Sequence, residues 1–126
     1  MAKPRRISEF TWTGISNYGP NEARQMLTEL KKLGTPCLVE QSRYNMLERN
    51  VEDGLLDVIE EEKIGFVAFS PLAKGILTSK QAEERGQTLA QYALSWILKD
   101  PRVTSVIIGA SRPEQILENI KVISNE

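Results

Sequence analysis

A chain of 126 residues is long enough for one domain with a core of ordinary size. Its 16 basic and 17 acidic side chains leave a net charge of −1, so it lacks the basic surplus that nucleic acid or an anionic membrane surface calls for. With no histidine and a single cysteine, it cannot build a Ser–His or Cys–His couple, a histidine metal site or a thiolate zinc site, and Cys37 has no intramolecular disulfide partner.

Residues 1–10, MAKPRRISEF, read as a basic, weakly patterned arm, and residues 11–126 as one domain. Phe10 to Ile15 alternates like a first strand, and Gly14 to Pro20 reads as a turn ending at a helix start. Ala23, Met26, Leu27, Leu30 and Leu33 then mark one helix face, stopped by Gly34 and Pro36. Cys37 to Gln41 is the second strand, where Cys37 serves as a small hydrophobe rather than a nucleophile. Ser42 to Asn50, with Tyr44 and Asn45, reads as a polar loop. A helix over Val51 to Glu62 turns Leu55, Leu56 and Ile59 inward and leaves Glu60, Glu61 and Glu62 in solvent.

Phe66 to Phe69 is the third strand, and Ser70 to Gly75 breaks the pattern. The next helix starts at Thr88, which forms a capping box with Gln91. It places Leu89, Tyr92, Ala93, Trp96 and Ile97 on a core face and stops at Asp100-Pro101. Val106, Ile107 and Ile108 form a β-branched run suited to a strand buried on both faces. Gly109 and Ala110 turn the chain into a last helix, with Ser111 as N-cap, Pro113 in the first turn and Glu114 closing a capping box. Ile116, Ile120 and Ile123 give that helix an apolar face. No apolar run approaches the ~20 residues of a membrane span. No apolar signal segment follows Met1, so the expected location is the cytoplasm.

Four strands alternating with four amphipathic helices call for an α/β fold with a parallel sheet: a (βα)4 half of a (β/α)8 TIM barrel with outer helices, or a small open sheet. Either arrangement gathers the groups just after each strand on one rim. Those groups are Ser16-Asn17, Gln41, Ser70-Pro71-Leu72 and Gly109 to Ser111, and they suit an amide or a phosphate but include no acid or base. The helix start after the fourth strand directs backbone N–H groups outward, which favours an anion.

In order and spacing, the motifs GISNY, EQSRYNMLER, AFSPLAKGILTSK and VIIGASRPEQILEN resemble the C-terminal half of the aldo/keto reductases. The branch they are most similar to holds the bacterial glyceraldehyde-phosphate-type reductases and the potassium-channel β subunits. The resemblance implies an NADP-dependent barrel. It assigns Ser16, Asn17 and Gln41 to the nicotinamide carboxamide and Phe69 to the ring that stacks on nicotinamide. Ser70, Pro71 and Leu72 line the pyrophosphate path, and Lys80 reaches a phosphate. Gly109, Ser111, Arg112 and Gln115 surround the adenosine 2′-phosphate, with Glu118 and Asn119 on the adenine.

Two departures from the family stand out. The Asp, Tyr, Lys and His of its catalytic tetrad come from the first four strands, which nothing in Met1 to Trp12 resembles. The long insertion that folds over the pyrophosphate is missing between Lys80 and Gln81. The expectation is therefore an NADP-binding half-barrel, a fragment or a half-barrel product, that does not reduce carbonyls alone. Its partners are a nicotinamide cofactor and either a second copy or an N-terminal half-barrel. The alternatives are a non-catalytic regulatory or binding module and a ligand-free structural half-barrel that self-associates.

Overall fold

Strand order follows chain order, and every pairing is parallel. The computed structural model describes residues 12–73 and 80–124. Strands β1 (Thr13–Ser16), β2 (Cys37–Arg43), β3 (Gly65–Phe69) and β4 (Ser105–Val106) form one sheet in the order β1-β2-β3-β4. The register sets Ser16 beside Gln41, Gln41 beside Val67, and Ala68 beside Val106. Helix α1 (Pro20–Lys32) joins β1 to β2. A 3₁₀ turn (Asn50–Glu52) and α2 (Leu55–Glu62) lead to β3. Helices α3 (Lys80–Glu84) and α4 (Leu89–Leu98) precede β4, and α5 (Pro113–Ile120) follows it. A doubly wound sheet reverses its strand order at a switch point; this one does not, and it has the sequence of a barrel arc.

Side-chain alternation divides the sheet into two unlike faces. Ile15, Phe66 and Ala68 point to one side, where they pack with Ala23 and Leu27 of α1, Leu55, Leu56 and Ile59 of α2, and Ile97 of α4 in a single core. Phe66, Leu56, Ile59 and Ile97 are sealed from solvent, each contributing roughly 1.5–3 kcal/mol of burial. Ser16, Gln41, Arg43, Val67 and Phe69 point to the other side, and among the described residues no helix covers them. This is the α/β half-barrel expected from the sequence, with its outer face packed and its inner face bare.

Several boundaries differ from the sequence-based expectation, each for a local reason. Gly54 adopts φ +107° and separates the 3₁₀ turn from α2, so no single helix runs from Val51. Leu33 caps α1 and lies exposed, while Gly34 takes the left-handed conformation that ends the helix. Strand β2 runs on to Arg43, and Tyr44 and Asn45 beyond it are buried rather than part of a polar loop. Strand β4 is only Ser105–Val106, extended by one bond from the Ile107 N–H to the Ala68 carbonyl (2.8 Å), and Ile107 is 46% exposed because none of the described residues packs over it on the inner face. Helix α3, absent from the expected elements, occupies a single turn before Thr88. No helix among the described residues is long and apolar enough to cross a membrane. Residues 1–10, expected to form a basic arm, lie outside the described residues.

Candidate functional site

The strands end together on one rim, where strained residues collect. Asn17 follows β1 at φ +58°, and Ser70 and Ala73 follow β3 at φ +52° and +46°. Residues with a Cβ take such angles at a cost of order 1–3 kcal/mol, and only where surrounding bonds impose them. At β1 the imposing bonds are visible. The Asn17 N–H and the Ser16 Oγ both donate to the Gln41 carbonyl, at 3.0 and 2.8 Å. Ser16, Asn17 and Gln41, expected to meet one carboxamide, are thereby joined, with the Gln41 side chain half-buried on the bare face.

Phe69 ends β3 beside Arg43, whose guanidinium lies over the ring at 5.7 Å from its centroid. Arg43 also donates to Glu48 at 3.3 Å. The sequence reading passed over this cation. Its place on the inner face follows from strand parity with Gln41, which becomes visible once β2 is known to reach residue 43.

Between the loops after β3 and β4 lies a cavity of about 390 Å³, lined by Phe69, Ser70, Pro71, Leu72, Ala73, Ile107, Ile108 and Gly109. That is near the low end of the roughly 300–1,000 Å³ that small-molecule sites occupy. It brings together the three residues expected along a pyrophosphate path (Ser70, Pro71 and Leu72) with Phe69, expected to stack on nicotinamide, and Gly109 from the expected adenosine end. A side chain at Gly109 would meet nothing within 4 Å, so the glycine leaves open space there. Lys80 opens α3, and its side chain lies outside the described residues, as do residues 74–79.

The start of α5 corrects the expected cap. A residue before proline is driven out of the helical region, and Arg112, before Pro113, is extended at φ −141°, ψ 144°. The N-cap is therefore Arg112 rather than Ser111, and the third helical residue is Gln115 rather than Glu114. Gln115 Oε1 accepts the N–H groups of Ser111 (2.8 Å) and Arg112 (3.2 Å) together with the Ser111 hydroxyl (3.2 Å). The amides expected to meet a phosphate are held by this side chain, so an anion there has to displace it. Glu118 and Asn119 lie one turn on; the Glu118 carbonyl accepts from Gln91 Nε2 at 2.8 Å, tying α5 to the capping box of α4. The apolar face of α5 is not core: Ile116, Leu117 and Ile120 are exposed, as is Ile123 just beyond the helix.

Among the described residues near this rim, Tyr44 is not set up as a general acid. Tyr44 is buried, and its hydroxyl donates to Glu52 Oε1 at 2.7 Å. Burial, and then Glu52, push its pKa far above the ordinary value. Burial likewise pushes the half-buried Cys37 thiol up, as suits a small hydrophobe.

A parallel arc with a polar, strained rim and a cavity between its last two loops defines a barrel-type α/β protein with a cavity at its strand ends. Comparison with known proteins makes the class specific. The sequence profile described as the Aldo/keto reductase family matches residues 12–85 and 79–126. The chain is 37% identical over 154 residues to the L-glyceraldehyde 3-phosphate reductase of Escherichia coli K12, covering 90% of this chain and 44% of that protein. It is 34% identical over 125 residues to a probable voltage-gated potassium channel subunit beta of Arabidopsis thaliana, covering 68% of this chain and 38% of that one. Among solved structures, a thermostable aldo-keto reductase in complex with the inhibitor epalrestat superposes with a TM-score of 0.74 at 30% identity, covering 90% of this chain and 43% of that one. The chain belongs to the aldo/keto reductase family.

It spans less than half the length of these relatives. The alignment to the E. coli reductase uses 154 residues there but only nine-tenths of 126 here, so about forty residues of that protein face a gap. The two profile segments meet at residues 79–85, where the insertion over the pyrophosphate was expected to be missing.

Proposed function

We propose that this chain is the NADP-binding half of a carbonyl oxidoreductase. The observation that carries the reading is the rim itself: Ser16, Gln41, Phe69 and the cavity from Ser70 to Gly109 lie in sequence across adjoining strand ends, in the order a dinucleotide would need. In this reading Ser16, Asn17 and Gln41 take the nicotinamide amide, and Phe69 stacks on its ring. Ser70, Pro71, Leu72 and Lys80 pass the phosphates. Gly109, Ser111, Arg112 and Gln115 receive the adenosine 2′-phosphate once Gln115 Oε1 releases the N–H groups of Ser111 and Arg112, with Glu118 and Asn119 at the adenine. Bound there, the nicotinamide would supply a hydride to a carbonyl carbon. The chain's own residues bind and orient. The family's proton donor is expected from elsewhere, because Tyr18, Tyr44 and Tyr92 lie in motifs of the second half, Tyr44 is committed to Glu52, and no histidine is present. Carbonyl reduction by the chain alone is accordingly expected to be absent.

The partner in this reading is a further (βα)4 unit, a second copy of the chain or an N-terminal half-barrel, that covers the bare sheet face. A second reading, a regulatory or purely structural half-barrel, is favoured by one feature: Gln115 already satisfies the amides of Ser111 and Arg112, so the end of α5 is complete without a ligand.

Titration of the purified chain with NADPH and NADH, followed by the fluorescence of Trp12 and Trp96, separates the two. Saturable binding that prefers NADPH supports the first reading, and no binding at millimolar cofactor overturns it. Adding a separately expressed N-terminal half to the bound chain then tests for carbonyl reduction.

A further inference from the structure

Four polar side chains are buried among the described residues: Glu40, Ser42, Asn45 and Gln91. Glu40 and Ser42 bond to each other beneath the helices, and Gln91 caps α4. Asn45 alone reaches the wall of the rim cavity, and it does so without lining it. Its Oδ1 accepts the N–H groups of Leu47 and Glu48, both at 2.9 Å, which shapes the turn after β2. Its Nδ2 donates to Glu48 Oε2 at 3.0 Å and, across the rim, to the carbonyl of Ser70 at 3.1 Å. Both ends of the amide are therefore used, and no freedom is left to rotate it without losing bonds.

The Ser70 carbonyl is where two bonds of the cavity wall meet. Ser70 holds φ +52°, and the same carbonyl accepts the Ala73 N–H at 3.3 Å, closing a turn in which Ala73 holds φ +46°. Two left-handed positions without glycine at the two ends of one four-residue turn need an external restraint. The bond from Asn45 comes from the loop that follows β2, 25 residues earlier in the chain.

We propose that Asn45 is a positioning residue: by holding the Ser70 carbonyl, it fixes the Ser70–Ala73 wall in the shape that accepts the middle of a dinucleotide. It also locks that wall to the strand end carrying Gln41. The inference rests on the nucleotide-binding reading above.

Asn45→Asp tests it, because aspartate keeps the oxygen that accepts from Leu47 and Glu48 but turns an acceptor toward the Ser70 carbonyl and Glu48 Oε2. Amide hydrogen exchange at Ala73 is expected to speed up at least tenfold in the variant, while Leu47 and Glu48 stay within twofold of the wild type. Unchanged exchange at Ala73 overturns the proposal. Should the variant not fold, the wild type decides. Asn45 Nδ2 protons protected from exchange and close to Ser70 support the anchor, and protons exchanging like those of a free asparagine overturn it.

The ligand readout is a second arm. NADPH affinity is expected to fall at least tenfold in the variant. Affinity for adenosine 2′,5′-bisphosphate, which spans only the Gly109 to Asn119 end, should hold within twofold. Equal loss of both, or of neither, means that Asn45 does not act through this wall. A wild type that binds neither compound overturns the nucleotide reading itself, while the exchange data still decide what Asn45 does.

Discussion

Glu40 and Asp100 are carboxylates driven in opposite directions by their surroundings. Glu40 is fully buried; the Ser42 hydroxyl donates to its Oε1 at 2.6 Å, and its Oε2 has no partner within hydrogen-bond distance among the described residues. Burial pushes its pKa above the ordinary 4.5, opposed by Ser42 and by the nearby amides of Tyr18 and Asn17. Asp100 receives Arg102 through both carboxylate oxygens, at 3.0 and 2.7 Å, and that guanidinium holds its carboxyl below the ordinary 3.8. The two therefore oppose each other in the pH dependence of stability. For Asp100 the folded state binds its proton less readily, so its stabilisation is complete above about pH 4 and is lost as pH falls through the lower folded value. For Glu40 the folded state keeps the proton longer, so stability is lost as pH rises from 4.5 through the higher folded value. Glu40→Gln should gain about 1 kcal/mol at pH 7, and the gain should vanish toward pH 4.5. Asp100→Asn should lose about 1–2 kcal/mol at pH 7, with the loss shrinking as pH falls below the ordinary 3.8. Urea midpoints at pH 7, 5 and 3 measure both; parallel pH curves for variant and wild type would contradict this account. Neither environment is written in the sequence. Glu40 sits in a strand stretch, LVEQSR, whose parity is readable only once the register is known, and Asn45 looks like an ordinary turn residue because its partner Ser70 is remote. What was legible at this scale was the set of small and amide-bearing residues just after the strands, because parallel topology alone gathers them on one rim.

At the scale of elements, local rules worked where local bonds decide. The box of Thr88 and Gln91 forms as expected, with Thr88 Oγ1 accepting the Gln91 N–H at 3.2 Å and Gln91 Oε1 accepting the Thr88 N–H at 3.0 Å. The face carrying Ala23 and Leu27, and the one carrying Leu56 and Ile59, are buried as their spacing implies. The same rules misplaced the start of α5 by one residue, because the constraint of Pro113 on Arg112 outweighs the capping preference of Ser111. They also could not show that the apolar spacing in α5 has nothing to pack on, since that depends on a neighbour and not on the helix. The two caps give a graded expectation. Thr88→Ala removes one bond and should cost about 1 kcal/mol. Gln91→Ala removes the other half of the box and also the bond from its Nε2 to the Glu118 carbonyl, and should cost about 2 kcal/mol. Amide exchange in α5 adds a distinguishing mark, because Gln91→Ala should loosen Ile120 and Lys121 while Thr88→Ala should not. Equal exchange in the two variants would mean that α4 and α5 are not tied through Gln91.

For the whole molecule, the decisive feature is a sheet packed on one side only. Helices bury Ile15, Phe66 and Ala68, while Gln41, Val67 and Phe69 on the opposite face have no covering element among the described residues, and the outer edges of β1 and β4 have no strand beside them there. Unpaired edges and half-exposed apolar side chains favour association with another sheet. Ile107 sits at that edge, 46% exposed, with Ile108 and the cavity next to it. A two-fold pairing that sets β4 of one copy beside β1 of another would close eight strands and cover both inner faces at once, and it would leave no edge for a third copy. A closed dimer is therefore expected in sedimentation, rather than a monomer or an open-ended series. Ile107→Lys places a charge on the edge at little cost to a lone chain, because the side chain is already half in water. It should shift the dimer toward monomer while leaving the urea midpoint of the monomeric form nearly unchanged. The rim links this assembly to the ligand. Cavity residues Ile107 and Gly109 follow the very strand whose edge closes, so NADPH affinity should fall along with the dimer in Ile107→Lys if the second copy completes the pocket. Affinity that stays constant while the dimer dissociates would place the whole binding wall within one chain.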